Sequence, residues 1–117
     1  MSSDLSEGLP RRFLPAFLLL SLHWDGTSYG YELCESVRSL GVSADLAAVY
    51  RGLRTMQQRD LVTSTWVPSD AGPDRRLYSL TEAGRTAATE AMDELSNVRD
   101  GLNAALEYFG ALDSSRA

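Results

Sequence analysis

A chain of 117 residues that is 44% hydrophobic and 23% charged has the length for one modest core and the composition of a folded globular unit. Its single cysteine, Cys34, excludes an internal disulfide, and together with the single histidine, His23, it cannot build a zinc site of ordinary Cys/His spacing. The net charge of -5 disfavours nonspecific attraction to nucleic acid, and the sequence contains no glycine-rich phosphate loop and no cluster of metal ligands. No metal, no cofactor and no enzyme activity are expected, and Cys34 and His23 are read as packing residues.

Met1 to Gly8 is polar, and residues 1–12 are expected to form a flexible tail. Pro10 and Pro15 bracket a helix start, because proline is tolerated in a first turn. The apolar run from Phe13 to Trp24 then predicts a first helix over about Pro15 to Trp24. That run is well short of the roughly 20 residues that cross a bilayer. Two arginines precede it, but no small-residue cleavage motif follows, so a cytoplasmic chain with no membrane partner is expected. Trp24 and Trp66 are both assigned to packing.

Asp25 to Ser28 reads as a turn. Leu33, Val37 and Leu40 recur at spacings of four and three, predicting a second helix that stops at Gly41. Ser43 or Asp45 can cap a third helix, whose inward stripe is Leu46, Val49, Leu53 and Met56. Its opposite face carries Ala47, Tyr50, Arg51, Arg54 and Gln58, which puts one phenol and two guanidinium groups toward solvent.

After Asp60 the period changes. "LVTSTWV" and "RRLYSL" are strand-like and flank the loop "PSDAGPD", so a hairpin is predicted with Arg75 and Arg76 opening its return strand. Asp70 and Asp74 partly offset those two charges. Thr81 can cap a last helix with Glu82 in its first turn. Along it Ala88, Ala91, Leu95, Val98, Leu102, Ala105, Phe109 and Leu112 recur in steps of three and four. A seam that long exceeds what so small a domain covers by itself, so a second copy is expected to cover it in a homodimer. Gly101, inside the seam, predicts a close approach or a local kink.

Charge is unevenly spread along these elements. Residues 1–42 carry three arginines against five acids, residues 43–80 five against four, and residues 81–117 three against seven. The middle third, which holds the third helix and the hairpin, is therefore the one with a positive balance.

These elements predict a mainly α fold with a small β-hairpin, a winged helix-turn-helix over residues 13–81, a dimerisation helix over 82–113 and a short tail over 114–117. "YGYEL" at Tyr29 to Leu33, "VYRGLRTMQQRDLV" at Val49 to Val62 and "RRLYSLTEAGR" at Arg75 to Arg85, in this order and spacing, resemble the PadR family of transcriptional regulators. The single long helix after "LTEAGR" is similar to the compact subclass of that family.

The resemblance implies a dimeric regulator, usually a repressor, that occupies a palindromic site on double-stranded DNA and often leaves it when a small molecule binds. By position it places Tyr50, Arg51, Arg75 and Arg76 at the DNA, and the outward face of the third helix and its start add Ser43, Ala47 and Arg54 as candidate contacts. Tyr31 falls at a position that in the family belongs mostly to helix packing. The family's mode of binding a flat aromatic effector between closing helices implies a pocket around Phe13, Phe17, Tyr108 and Phe109. Two positions depart from the pattern: Ala48 stands where many members have Ser or Thr, and Asp45 adds a negative charge near the reading end of the helix. These departures and the acidic total point to the alternative, a winged-helix protein-interaction module with weak or lost DNA binding.

Overall fold

The computed structural model describes residues 8–116. A 3-10 turn at Arg11–Phe13 leads into α1, Leu14–Asp25, followed by β1, Thr27–Tyr29, α2, Gly30–Ser39, and α3, Leu46–Gln58. The hairpin of β2, Val62–Val67, and β3, Arg75–Leu80, comes next, and α4, Glu82–Arg116, closes the chain. The helices α1 to α3, the first part of α4 and the sheet enclose one core, whose largest fully buried side chains are Leu18, Leu22, Leu33, Val37, Val49, Leu53 and Val62. Cys34 belongs to that core as a packing residue.

Three of the four helices, α2, α3 and α4, start where a side chain satisfies a free amide, and α1 starts at a proline. Pro15 stands in the first turn of α1, where a missing N–H costs nothing. In α2 the Tyr29 amide donates to Glu32 Oε1 at 3.4 Å. The Ala48 amide donates to Asp45 Oδ1 at 2.8 Å, which makes Asp45 rather than Ser43 the cap of α3. Thr81 caps α4: its hydroxyl accepts from the Gly84 amide at 3.0 Å and donates to the Asp60 carbonyl at 2.6 Å. Gly84 is required there, because a β-carbon would collide with the Leu61 carbonyl.

Several expectations need correction. The segment Asp25 to Ser28 is not simply a turn: Thr27–Tyr29 pairs antiparallel with Leu77–Ser79, giving a three-stranded sheet of order β1-β3-β2 in place of a two-stranded hairpin. A three-residue strand is too short to leave a period in the sequence. Residues 1–7 lie outside the described residues, but Leu9 is no part of a tail. Its amide donates to the Gly41 carbonyl at 2.6 Å and its carbonyl accepts from the Ser43 amide at 3.2 Å. At the other end α4 continues through Arg116, so Ser114 to Arg116 are helical.

Some apolar side chains also lie elsewhere than expected. Leu40 follows the last residue of α2 and is 60% exposed, and Leu46 opens α3 at 38% exposure, while Val49, Leu53 and Met56 are buried as expected. His23 is exposed, and Trp24 and Trp66 stand 88% and 63% in solvent.

Only the first part of α4 belongs to the core. Ala88 and Ala91 are buried where α4 crosses α1, small residues that let the two backbones approach closely. They are therefore spent within the chain, unlike the rest of the expected seam. Leu95 and Val98 are half-buried, and Leu102, Ala105, Phe109 and Leu112 are exposed. The helix runs without interruption through Gly101, where an added β-carbon would meet no other part of the chain within 4 Å. Its 35 residues reach about 52 Å at 1.5 Å each, so the second half projects as an arm. The radius of gyration, 17.7 Å, exceeds the roughly 13 Å of a compact chain of this length for that reason. Among the described residues no helix is long and apolar enough to cross a membrane.

Candidate nucleic-acid interface

The inward stripe of α3 locks the orientation of its outer face. With Val49, Leu53 and Met56 in the core, Ala47, Tyr50, Arg51, Arg54 and Gln58 all face solvent. Ala48 belongs to the buried side, at 7% exposure, so a hydroxyl at that position would meet core rather than solvent. Ser43 is exposed just ahead of the helix. Asp45, the acid near the reading end of α3, caps the helix start. The Ala48 amide, assisted by Arg11 and Arg51, keeps its carboxyl below the ordinary carboxylate value.

Beside α3 stands the hairpin. Its register pairs Trp66 with Arg76 and Ser64 with Tyr78 on one face, and Val67 with Arg75 and Thr65 with Leu77 on the other. The two wing arginines accordingly point apart. The Arg75 guanidinium lies 3.8 Å from the centre of the Tyr29 ring, a cation–π contact that leaves Arg75 exposed beyond the sheet edge. Arg76 turns inward and, with Tyr50, Arg54, Gln57 and Tyr78, lines a notch of about 130 Å³ between α3 and the wing. Burial pushes the Tyr78 phenol above its ordinary value.

Among the described residues the ion pairs are Arg11 with Asp45 and Arg99 with Asp100, both exposed. No arginine of α3 or of the wing is thus neutralised by an acid within 4 Å. Guanidinium groups left free on an outward helix face suit bidentate contacts to guanine or to phosphate. Tyr31, expected in helix packing, is 57% exposed beside this surface, where the neighbouring Glu35 carboxylate holds the phenol above its ordinary value. The place of Tyr29 beside the wing depends on β1, whose three residues leave no period in the sequence.

The proposed effector residues fall into two places. Phe13 and Phe17 line an apolar groove of about 460 Å³ together with Leu95, Val98, Leu102 and Leu106. Tyr108 and Phe109 lie outside it and pack on each other edge to face, ring centres 5.4 Å apart.

The model of the family described as "Transcriptional regulator PadR-like family" matches residues 18–90, which take in most of α1, all of α2 and α3, the wing and the start of α4. The chain belongs to the PadR-like family of transcriptional regulators. A probable transcriptional regulator of Mycobacterium tuberculosis is 35% identical over 97 residues, covering 80% of this chain. The chain spans about half, 51%, of the length of that relative. A PadR-like transcriptional regulator of Bacillus cereus, 26% identical, superposes with a TM-score of 0.69 over 81% of this chain and 92% of that one. PadR of Bacillus subtilis, solved in complex with operator DNA, shares the fold at 20% identity and a TM-score of 0.63, over 71% of this chain and 48% of that one. Among PadR-like chains, then, this one has the winged fold and a single helical arm.

Proposed function

We propose that the protein is a homodimeric repressor that binds a palindromic promoter site on double-stranded DNA. The observation that carries this reading is the outward α3 face of Tyr50, Arg51 and Arg54, free of acidic partners and flanked by an arginine-bearing wing. Ala47 and Ser43 border that face, and Arg75 extends it onto the wing. In a dimer two such helices would enter successive major grooves, about 34–36 Å apart. The related Bacillus subtilis protein, solved on its operator, supports the choice of DNA as ligand.

The arm supports the dimer. Leu102, Leu106, Phe109 and Leu112 are 61%, 71%, 64% and 44% exposed. Burying a leucine or phenylalanine is worth about 1.5–3 kcal/mol each. Two arms packed through this stripe would bury it twice over. The groove beside Phe13 and Phe17 opens onto the same stripe, and a small aromatic molecule held there would touch both the arm and α1. By favouring one angle between arms, such an effector would bias DNA occupancy.

Selection of bound duplexes from a random pool tests the proposal. Enrichment of an inverted repeat with half-sites one helical turn apart is expected, and it should vanish for Arg54→Ala. If nothing is enriched at low salt, the reading gives way to a protein-interaction module.

A further inference from the structure

Arg76 sits on the wing, yet its guanidinium faces the protein. Its Nη2 donates to Ser64 Oγ at 3.0 Å, and the Ser64 hydroxyl in turn donates to Gln57 Oε1 of α3 at 3.5 Å. Its guanidinium carbon lies 5.2 Å from the Trp66 ring centre and 5.9 Å from that of Tyr78. The Nε is buried with no hydrogen-bond partner among the described residues. Nε is thereby out of reach of a ligand outside, and one of the Nη2 donors is taken by Ser64. A phosphate contact needs accessible donors, so this side chain is poorly disposed to supply one.

The position of Arg76 along the sheet gives that geometry a purpose. β1 pairs with β3 only at Leu77, Tyr78 and Ser79. Beyond them the wing continues as two strands alone, paired Trp66 to Arg76 and Val67 to Arg75. An isolated two-stranded ribbon is marginally stable in water. Arg76 stands at the point where the third strand ends, tied to Trp66 on its own sheet and, through Ser64 and Gln57, to α3.

We infer that Arg76 is a positioning residue: it fixes the wing against α3 through Ser64, Gln57 and Trp66, and does not itself hold a phosphate. The inference rests on the DNA-binding reading for its consequence, the simultaneous engagement of one duplex by α3 and the wing. A ribbon released from α3 spends only part of its time in the binding pose. If that part is a tenth, affinity falls about tenfold.

The test uses a Trp24→Phe background, in which Trp66 is the sole indole, and compares Arg76→Gln and Arg76→Lys with the parent. Without DNA, both substitutions are expected to lower the anisotropy of Trp66 emission, since an ammonium does not reproduce a planar guanidinium stacked and bonded at a fixed geometry. With a duplex taken from the selection, both are expected to weaken binding about tenfold while the slope of log K against log salt is unchanged. A slope reduced by about 0.9 would mark a lost phosphate contact and overturn the inference. Full affinity in Arg76→Lys, affinity within twofold of the parent in Arg76→Gln, or unchanged Trp66 anisotropy would overturn it as well. Should the parent bind no DNA, the DNA-binding reading fails separately and the anisotropy alone decides whether Arg76 fixes the wing.

Discussion

The ring of Tyr50 lies so close over Gly30 that a β-carbon at position 30 would overlap it. The start of α2 therefore serves as the seat that holds an outward side chain of α3 in place. Gly30→Ala should gain helix propensity worth up to about 1 kcal/mol, while the end of the Tyr50 side chain is pushed aside. Melting temperature is thus expected to change little and DNA affinity to fall. Gly30→Ala combined with Tyr50→Ala should bind no more weakly than Tyr50→Ala alone, and additive losses would show that Gly30 acts elsewhere.

For the arm, Leu102→Glu puts a carboxylate at the middle of the exposed stripe and should convert a dimer to a folded monomer in light scattering. Ala91→Glu should behave differently, because Ala91 is 5% exposed inside the chain's own core. That variant is expected to unfold, at a cost well above the 0.5–3 kcal/mol or so of an ordinary substitution. A dimer that survives Leu102→Glu unchanged would place the interface on another surface.

Much of this architecture can be read from spacing alone. Val49, Leu53 and Met56 set the roll of α3, and with it which arginines face outward, because 3.6 residues per turn leave no other arrangement. The Thr81 cap and the arm follow from local pattern in the same way. What spacing could not supply was tertiary. The strand Thr27–Tyr29 exists only because β3 pairs with it, and Leu9 is held by backbone bonds to Gly41 and Ser43 that no side-chain pattern records. The regular seam likewise hid a change of partner, since Ala88 and Ala91 face α1 whereas Leu102 and Phe109 face solvent. Residue type alone assigns Trp24 and Trp66 to packing, yet at both positions the residue is largely exposed.

Asp45 makes stability depend on acid. Its folded-state carboxyl titrates below the ordinary 3.8, so the stabilisation from its charge is complete above that value and is lost as pH falls through the lower folded value. Asn also caps helices but carries no charge. The stability difference between wild type and Asp45→Asn should therefore be constant at neutral pH and shrink in strong acid, as followed by urea unfolding at each pH. A difference that grows on acidification contradicts this role.

Thr81 ties the start of α4 to the turn between α3 and the wing through bonds to the Asp60 carbonyl and the Gly84 amide. Thr81→Ala should cost about 1 kcal/mol, typical of a lost N-cap. Thermal unfolding is expected to show a fall of about 5 °C. Gly84→Ala should be worse, since the clash is with the Leu61 backbone carbonyl rather than with a side chain that can move.

The central claim is that the outward face of α3 reads DNA. The measurement that tests it most directly is a salt titration of binding to a selected duplex, with wild type and the double variant Arg51→Ala/Arg54→Ala. Saturable, salt-sensitive binding by wild type is predicted, together with its loss in a double variant that still folds and dimerises. Equal binding by the two proteins would contradict the account and leave the arginine face as solvated surface.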